Sequence, residues 1–182
     1  MERTFEQYDA ALAECRNVFA KKLKDYGPSW RIFRLSSLAD QLYIKANRIR
    51  TLQEVKESKV DEGTKGEWQG IVNYGIISLI QLELGYVSQP DISIEKALSL
   101  YDSYAAEIRA LMAKKNHDYG EAWRDMRLAS FTDLILVKLS RIQQINDNSG
   151  VTLISEGVDS NIFDMVNYAL FALIKMEEEQ CA

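Results

Sequence analysis

The sequence predicts an all-α fold: two tandem three-helix repeats, about six main helices, packed about a pseudo-two-fold axis. Three observations predict it. A thirty-residue block recurs 93 positions later, apolar residues recur at spacings of three and four, and no segment sustains the period-two alternation of a strand.

The recurrence opens on Lys21-Lys22-Leu23-Lys24-Asp25-Tyr26-Gly27, which returns as Lys114-Lys115-Asn116-His117-Asp118-Tyr119-Gly120. Residues 21–50 and 114–143 share fourteen identities in thirty; unrelated segments of ordinary composition share about two. A second block matches at an offset of 94, pairing Val72-Asn73-Tyr74 with Val166-Asn167-Tyr168, so one residue was gained or lost in the intervening loop. The period is too long for a solenoid, and two such units pair as a covalently joined homodimer would. Ser88-Gln89-Pro90-Asp91 carries the turn chemistry of a boundary, which divides the chain into repeats 1–89 and 90–182 within one globule.

In the first helix of each repeat, Phe5, Tyr8, Leu12, Cys15, Phe19 and Leu23 form one apolar stripe, as do Ile94, Leu98, Tyr101, Ala105, Ile108 and Met112. Gly27 and Gly120 are placed to end these helices in the left-handed conformation, with Pro28 reinforcing the first stop. Second helices are expected near 37–53 and 130–146, where Ser37 with Asp40 and Ser130 with Asp133 have capping-box spacing. Third helices are expected near 66–86 and 160–179. The polar loops 54–65 and 147–159 are long enough to act as lids.

Apolar runs are far too short to span a bilayer, so no membrane partner is expected. The first residues lack a signal-like apolar segment, and two cysteines make no disulfide framework; both point to a cytoplasmic setting. A net charge of −5 argues against duplex DNA binding. Residues 21–50 nevertheless hold eight Lys/Arg against two acids, a local excess of six positive charges that suits either solvated helix faces or an anion site.

The chemistry concentrates in Asp-Tyr-Gly-x-x-Trp-Arg-x-x-Arg. Its arginines, Arg31 and Arg34 with Arg124 and Arg127, are candidate phosphate ligands, because a guanidinium fork matches phosphate oxygens. Its aromatics, Tyr26 and Trp30 with Tyr119 and Trp123, are candidate base-stacking residues, with core packing as the alternative. Lys45 with Arg48, and Lys138 with Arg141, share a helix face and suit a polyphosphate or an inter-repeat salt bridge. On the third helix, Glu67 and Asp164 occupy different positions of one Glu-x-x-Asp-x-x-Asn-Tyr pattern, a spacing that holds Mg²⁺ against phosphate oxygens. Asp25 and Asp118 are further candidate metal ligands. His117, the single histidine, has Lys24 at its counterpart and reads as a surface residue. No nucleophile triad, phosphate-cradling glycine loop or zinc spacing occurs, so catalytic residues are not assigned.

These motifs resemble the nucleotide modification associated domain 1 family, formerly a domain of unknown function. The likeness rests on Lys-Lys-x-x-Asp-Tyr-Gly-x-x-Trp-Arg at 21–31 and 114–124, Lys-x-x-Arg at 45–48 and 138–141, and Val-Asn-Tyr in the third helices. It implies a bacterial or phage protein linked to nucleotide or nucleic-acid modification. The third helix is more weakly similar to the all-α nucleoside triphosphate pyrophosphohydrolases, which hold Mg²⁺ with Glu-x-x-Glu and Glu-x-x-Asp. Neither repeat keeps both acids of the second motif, and no Glu-x-x-Glu lies on a second helix. Two expectations follow. One is a nucleotide-binding protein, in its extended form an Mg²⁺-dependent nucleotide (pyro)phosphohydrolase, whose partner is a nucleotide or other phosphorylated small molecule. The other is a non-catalytic helical interaction module that binds a protein partner or forms a homo-oligomer, its charged block serving as a salt-bridge network.

Overall fold

A computed structural model describes residues 2–55, 63–147 and 156–181. The chain runs α1 (Glu2–Tyr26), a 3₁₀ turn (Ser29–Ile32), α2 (Leu35–Val55), α3 (Lys65–Leu84), α4 (Ile94–Tyr119), a second 3₁₀ turn (Ala122–Asp125), α5 (Leu128–Asp147) and α6 (Val158–Cys181). Among the described residues there is no strand, and no helix is long and apolar enough to cross a membrane. The all-α, two-repeat expectation holds.

Both glycines stop their helices as their sequence context demands. Gly27 and Gly120 take φ of +62° and +60°, and their N–H groups donate back to Leu23 and Asn116. α4 starts at a true cap, with Ser93 Oγ accepting from the Lys96 N–H. The second helices depart from expectation. They begin at Leu35 and Leu128, so Ser37 and Ser130 lie inside the first turn, where their main-chain groups already belong to the helix. The proposed lids fall mainly on 56–62 and 148–155, outside the described residues.

Six helices form three layers of two. α3 and α6 cross at the centre, α2 and α5 pair beneath them, and α1 and α4 lie across the top. Each layer takes one helix from each repeat, so a single apolar core is shared by both. The central position of α3 explains why it is buried on almost every side, from Ile71 through Gln81 except Tyr74.

The contacts between repeats are reciprocal, the signature of a two-fold interface. Arg16 pairs with Asp102 at 2.6 Å, and their counterparts Arg109 and Asp9 pair at 2.5 Å. The Tyr8 hydroxyl donates to Asn167 Oδ1 at 2.7 Å, and the Tyr101 hydroxyl donates to Asn73 Oδ1 at 2.8 Å. Burial raises the pKa of both phenols, which keeps them neutral donors. Tyr8→Phe and Tyr101→Phe should each cost about 1–2 kcal/mol in urea denaturation, because each strands a buried amide oxygen. Substitutions with no effect would show that these bonds are not formed.

Candidate functional site

The first repeat carries a cavity of about 550 Å³ between the end of α1, the first 3₁₀ turn, α2 and α3. The Asp-Tyr-Gly stop creates one wall. Once Gly27 turns the chain, the 3₁₀ turn drives Trp30 inward to 7% exposure, where its ring lies 6.2 Å from Phe19. Tyr26 stays on the exposed rim. Phe33 and Tyr74, edge to face at 6.4 Å, also line the cavity.

Among the described residues, two cations belong to the cavity wall, Lys22 from α1 and Lys45 from α2. Lys45 Nζ lies 5.6 Å from the centre of the Tyr74 ring and 3.3 Å from Glu67 Oε2. Glu67 also accepts from Arg48. The stem of Lys45 runs directly over Gly70, where an added Cβ would lie 2.7 Å from its Cδ and Cε. Asn73 sits in the wall with its amide donating to the Cys15 carbonyl at 3.0 Å and accepting from Tyr101. The second repeat therefore braces the first repeat's cavity through Tyr101, which also stacks on Phe19 at 4.5 Å. Cys15 is buried beneath it, and burial lifts its thiol pKa to about 12, so it is not a nucleophile at neutral pH.

At the counterpart positions the second repeat carries bulkier side chains, and a smaller cavity of about 360 Å³ lies beside Ser160 and Phe163. Gly70 becomes Asp164, Gln69 becomes Phe163, Gly66 becomes Ser160 and Ile77 becomes Phe171. Asp164 is 7% exposed and accepts from Lys138 Nζ at 2.7 Å and from Lys115 Nζ. Lys115 and Lys138 are the equivalents of Lys22 and Lys45. Burial alone would raise the Asp164 pKa, but the hydrogen bonds from Lys115 and Lys138 outweigh it and hold the carboxyl below its usual range. Phe171 stacks flat on Trp123, centroids 4.3 Å apart and planes 6° apart. Trp123 Nε1 donates to Asn116 Oδ1 at 3.1 Å, whereas Leu23 stands at that position in the first repeat and Trp30 Nε1 is left without a partner.

The other candidate residues divide into those held by the fold and those at the surface. Arg31 does not face the cavity cations. It is 1% exposed and tethers the linker through Asp91 at 2.8 Å, the Gly85 carbonyl at 2.6 Å and Gln81. Arg124 lies 4.4 Å from the centre of the Trp123 ring and bonds to Glu178, Thr4, Gln7 and Glu121, tying the start of α1 to the end of α6. Hydrogen bonding from Thr4, with a smaller contribution from Arg124, brings the Glu121 pKa down to about 2. Arg34, Arg127 and Arg141 are exposed and make no ion pair with the described residues. Tyr119 is exposed, as are Asp25 and Asp118, with Asp118 3.1 Å from His117. Glu67 and Asp164 each face two cations rather than each other, and no group of three or more His, Cys, Asp or Glu among the described residues is placed to hold a metal.

Lys22, Lys115, Tyr74 and Tyr168 belong to the recurring motifs but were not named as site residues from sequence, although all four lie in segments identical between the repeats. The signal was available: Lys22 is four residues before Tyr26 and so shares its helix face.

The fold and the duplicated motif together invite comparison with known families. The family model described as nucleotide modification associated domain 1 matches residues 22–82 and again residues 115–176. The chain belongs to the nucleotide modification associated domain 1 family. Comparison with curated proteins gives no match, and comparison with solved structures gives none either. Both matches to the nucleotide modification associated domain 1 model begin at the second lysine of the Lys-Lys pair and run into the third helix, so they span Lys22, Lys45 and Gly70 in one repeat and Lys115, Lys138 and Asp164 in the other.

Proposed function

We propose that the first repeat of this nucleotide modification associated protein is a nucleotide-binding unit and that the second has become its structural partner. The carrying observation is the exchange of Gly70 for Asp164. In the second repeat one buried carboxylate bonds to both lysines of the motif. In the first that carboxylate is absent, and Lys22 and Lys45 border an aromatic-walled cavity of about 550 Å³, a volume that suits a small ligand. The lysines hold the phosphate, and Tyr26, Tyr74 and Phe33 supply faces for a base. Trp30 forms the inner wall.

The Mg²⁺ expectation does not fit the residues present. A divalent cation at Glu67 has to displace Lys45 and Arg48, and at Asp164 it has to displace Lys115 and Lys138, each already within ion-pair distance. No hydrolytic step is therefore routed through these acids.

Isothermal titration with nucleoside mono-, di- and triphosphates tests the reading. Lys22→Ala and Lys45→Ala should each weaken binding about tenfold, the scale of one charge-assisted hydrogen bond, and the double variant about a hundredfold. Unchanged affinity in the double variant, or no binding of any nucleotide to the wild type, would overturn it.

A further inference from the structure

We infer that the first repeat's anion subsite takes a single phosphate monoester, that of a nucleoside monophosphate, without a divalent metal, and that Asp164 is a built-in stand-in for that phosphate in the second repeat. The inference rests on the nucleotide reading above and narrows its ligand.

The two repeats have the same order of helices and 3₁₀ turn and the same two lysines, so one repeat displays what the other lacks. In the second, a single anionic group sits between Lys115 and Lys138, 2.7 Å from the latter, on the turn of α6 that corresponds to Gly70. In the first, Gly70 offers no side chain, and the lysine stem that crosses it is flexible at its far end. An anion arriving from the cavity would meet Lys22 and Lys45, the counterparts of the two lysines that Asp164 meets from the backbone.

Charge sets the size of that anion. Among the described residues, the cations in the cavity wall are Lys22 and Lys45. Arg48 is held by Glu67, and Arg31 is buried on the linker. Lys22, Lys45 and Arg48 against Glu67 leave two positive charges uncompensated, which matches a phosphate monoester carrying roughly −1.5 to −2 at neutral pH. The further phosphates of a triphosphate meet no additional cation among the described residues of this wall. Those groups need metal, and the acids that would hold it are already paired.

Titration of nucleoside mono- and triphosphates in EDTA and in Mg²⁺, with inorganic phosphate alongside, separates this inference from the broader reading. The monophosphate should bind equally with and without Mg²⁺, and at least tenfold tighter than the triphosphate. Gly70→Asp should weaken the monophosphate at least tenfold by installing the resident carboxylate, and at least threefold more than Gly70→Asn, of equal bulk and no charge. A triphosphate that binds tighter than the monophosphate, or only with Mg²⁺, overturns the single-phosphate inference and leaves nucleotide binding standing. Equal losses in Gly70→Asp and Gly70→Asn overturn it as well, because bulk rather than charge then decides. If no nucleotide binds but inorganic phosphate binds wild type and not Gly70→Asp, the nucleotide reading falls and the anion subsite stands.

Discussion

Replacing Asp164 with alanine should lower folding stability by about 3–4 kcal/mol, the scale for stripping one partner from a buried ion pair. Asp164 and Lys138 are both buried, so removal of the carboxylate leaves the Lys138 ammonium without its counter-charge beside a half-exposed Lys115. Asp164→Ala with Lys138→Met should recover most of the loss, because an uncharged chain of similar length removes the stranded charge. Glu67→Ala in the first repeat should cost only about 1 kcal/mol, since Lys45 and Arg48 reach water. The pH dependence has a definite sign. The folded-state pKa of Asp164 is depressed, so its contribution is complete above the unfolded carboxyl value of about 4 and is lost as pH falls through the folded value. Urea titrations of wild type and Asp164→Ala should therefore converge in acid and separate above about pH 4. A constant gap across that range, or a loss below about 1 kcal/mol at pH 7, would show that the triad is not a buried network.

The second large effect is steric. A Cβ at Gly75 would lie well inside 3.0 Å of Val166 Cγ2 and 3.8 Å from Ile162 Cγ2, where α3 crosses α6 at the centre of the molecule. A mid-helix glycine forgoes roughly 1 kcal/mol of helix propensity relative to alanine, so its presence here needs a packing reason, and this approach supplies it. Gly75→Val should destabilise by about 3 kcal/mol through overpacking, without relief from the helix propensity that alanine alone would bring. Gly75→Ala should be milder, and Val166→Ala should rescue it, because that change removes the methyl that the new Cβ meets. The coupling belongs to a double-mutant cycle read from denaturation midpoints. Additive losses for Gly75→Ala and Val166→Ala would mean that the crossing is looser than this geometry.

The fold was legible because its determinants are local or repeated. Apolar spacing marked α1 and α4, Gly27 and Gly120 marked their ends, and the 93-residue recurrence implied two like units. Helix starts were less legible. Ser37 and Ser130 have cap spacing, yet α2 and α5 begin two residues earlier, with the Leu38 N–H bonded to the Arg34 carbonyl and the Ser130 N–H to the Arg127 carbonyl. The candidate site was legible in part. Lys45, Tyr26 and Trp30 were singled out and line the cavity, whereas Arg31 and Arg124 were singled out and serve the framework. Those two arginines occupy equivalent motif positions, and the partners that claim them, Asp91 and Glu178, are distant in sequence and differ between the repeats.

Sequence by itself determined that the protein is helical, duplicated and built from one charged, aromatic motif used twice, because backbone propensity, apolar period and recurrence are properties of the chain read in order. It also showed that each repeat keeps one acid of the Glu-x-x-Asp pattern, Glu67 or Asp164, at different positions. Only the tertiary structure decided what that difference means. One helical turn moves the carboxylate from between Lys115 and Lys138 to between Lys45 and Arg48, so identical motifs yield a buried ion triad in one repeat and a lysine-bordered cavity in the other. Which charges meet depends on distances across helices that residue order does not encode.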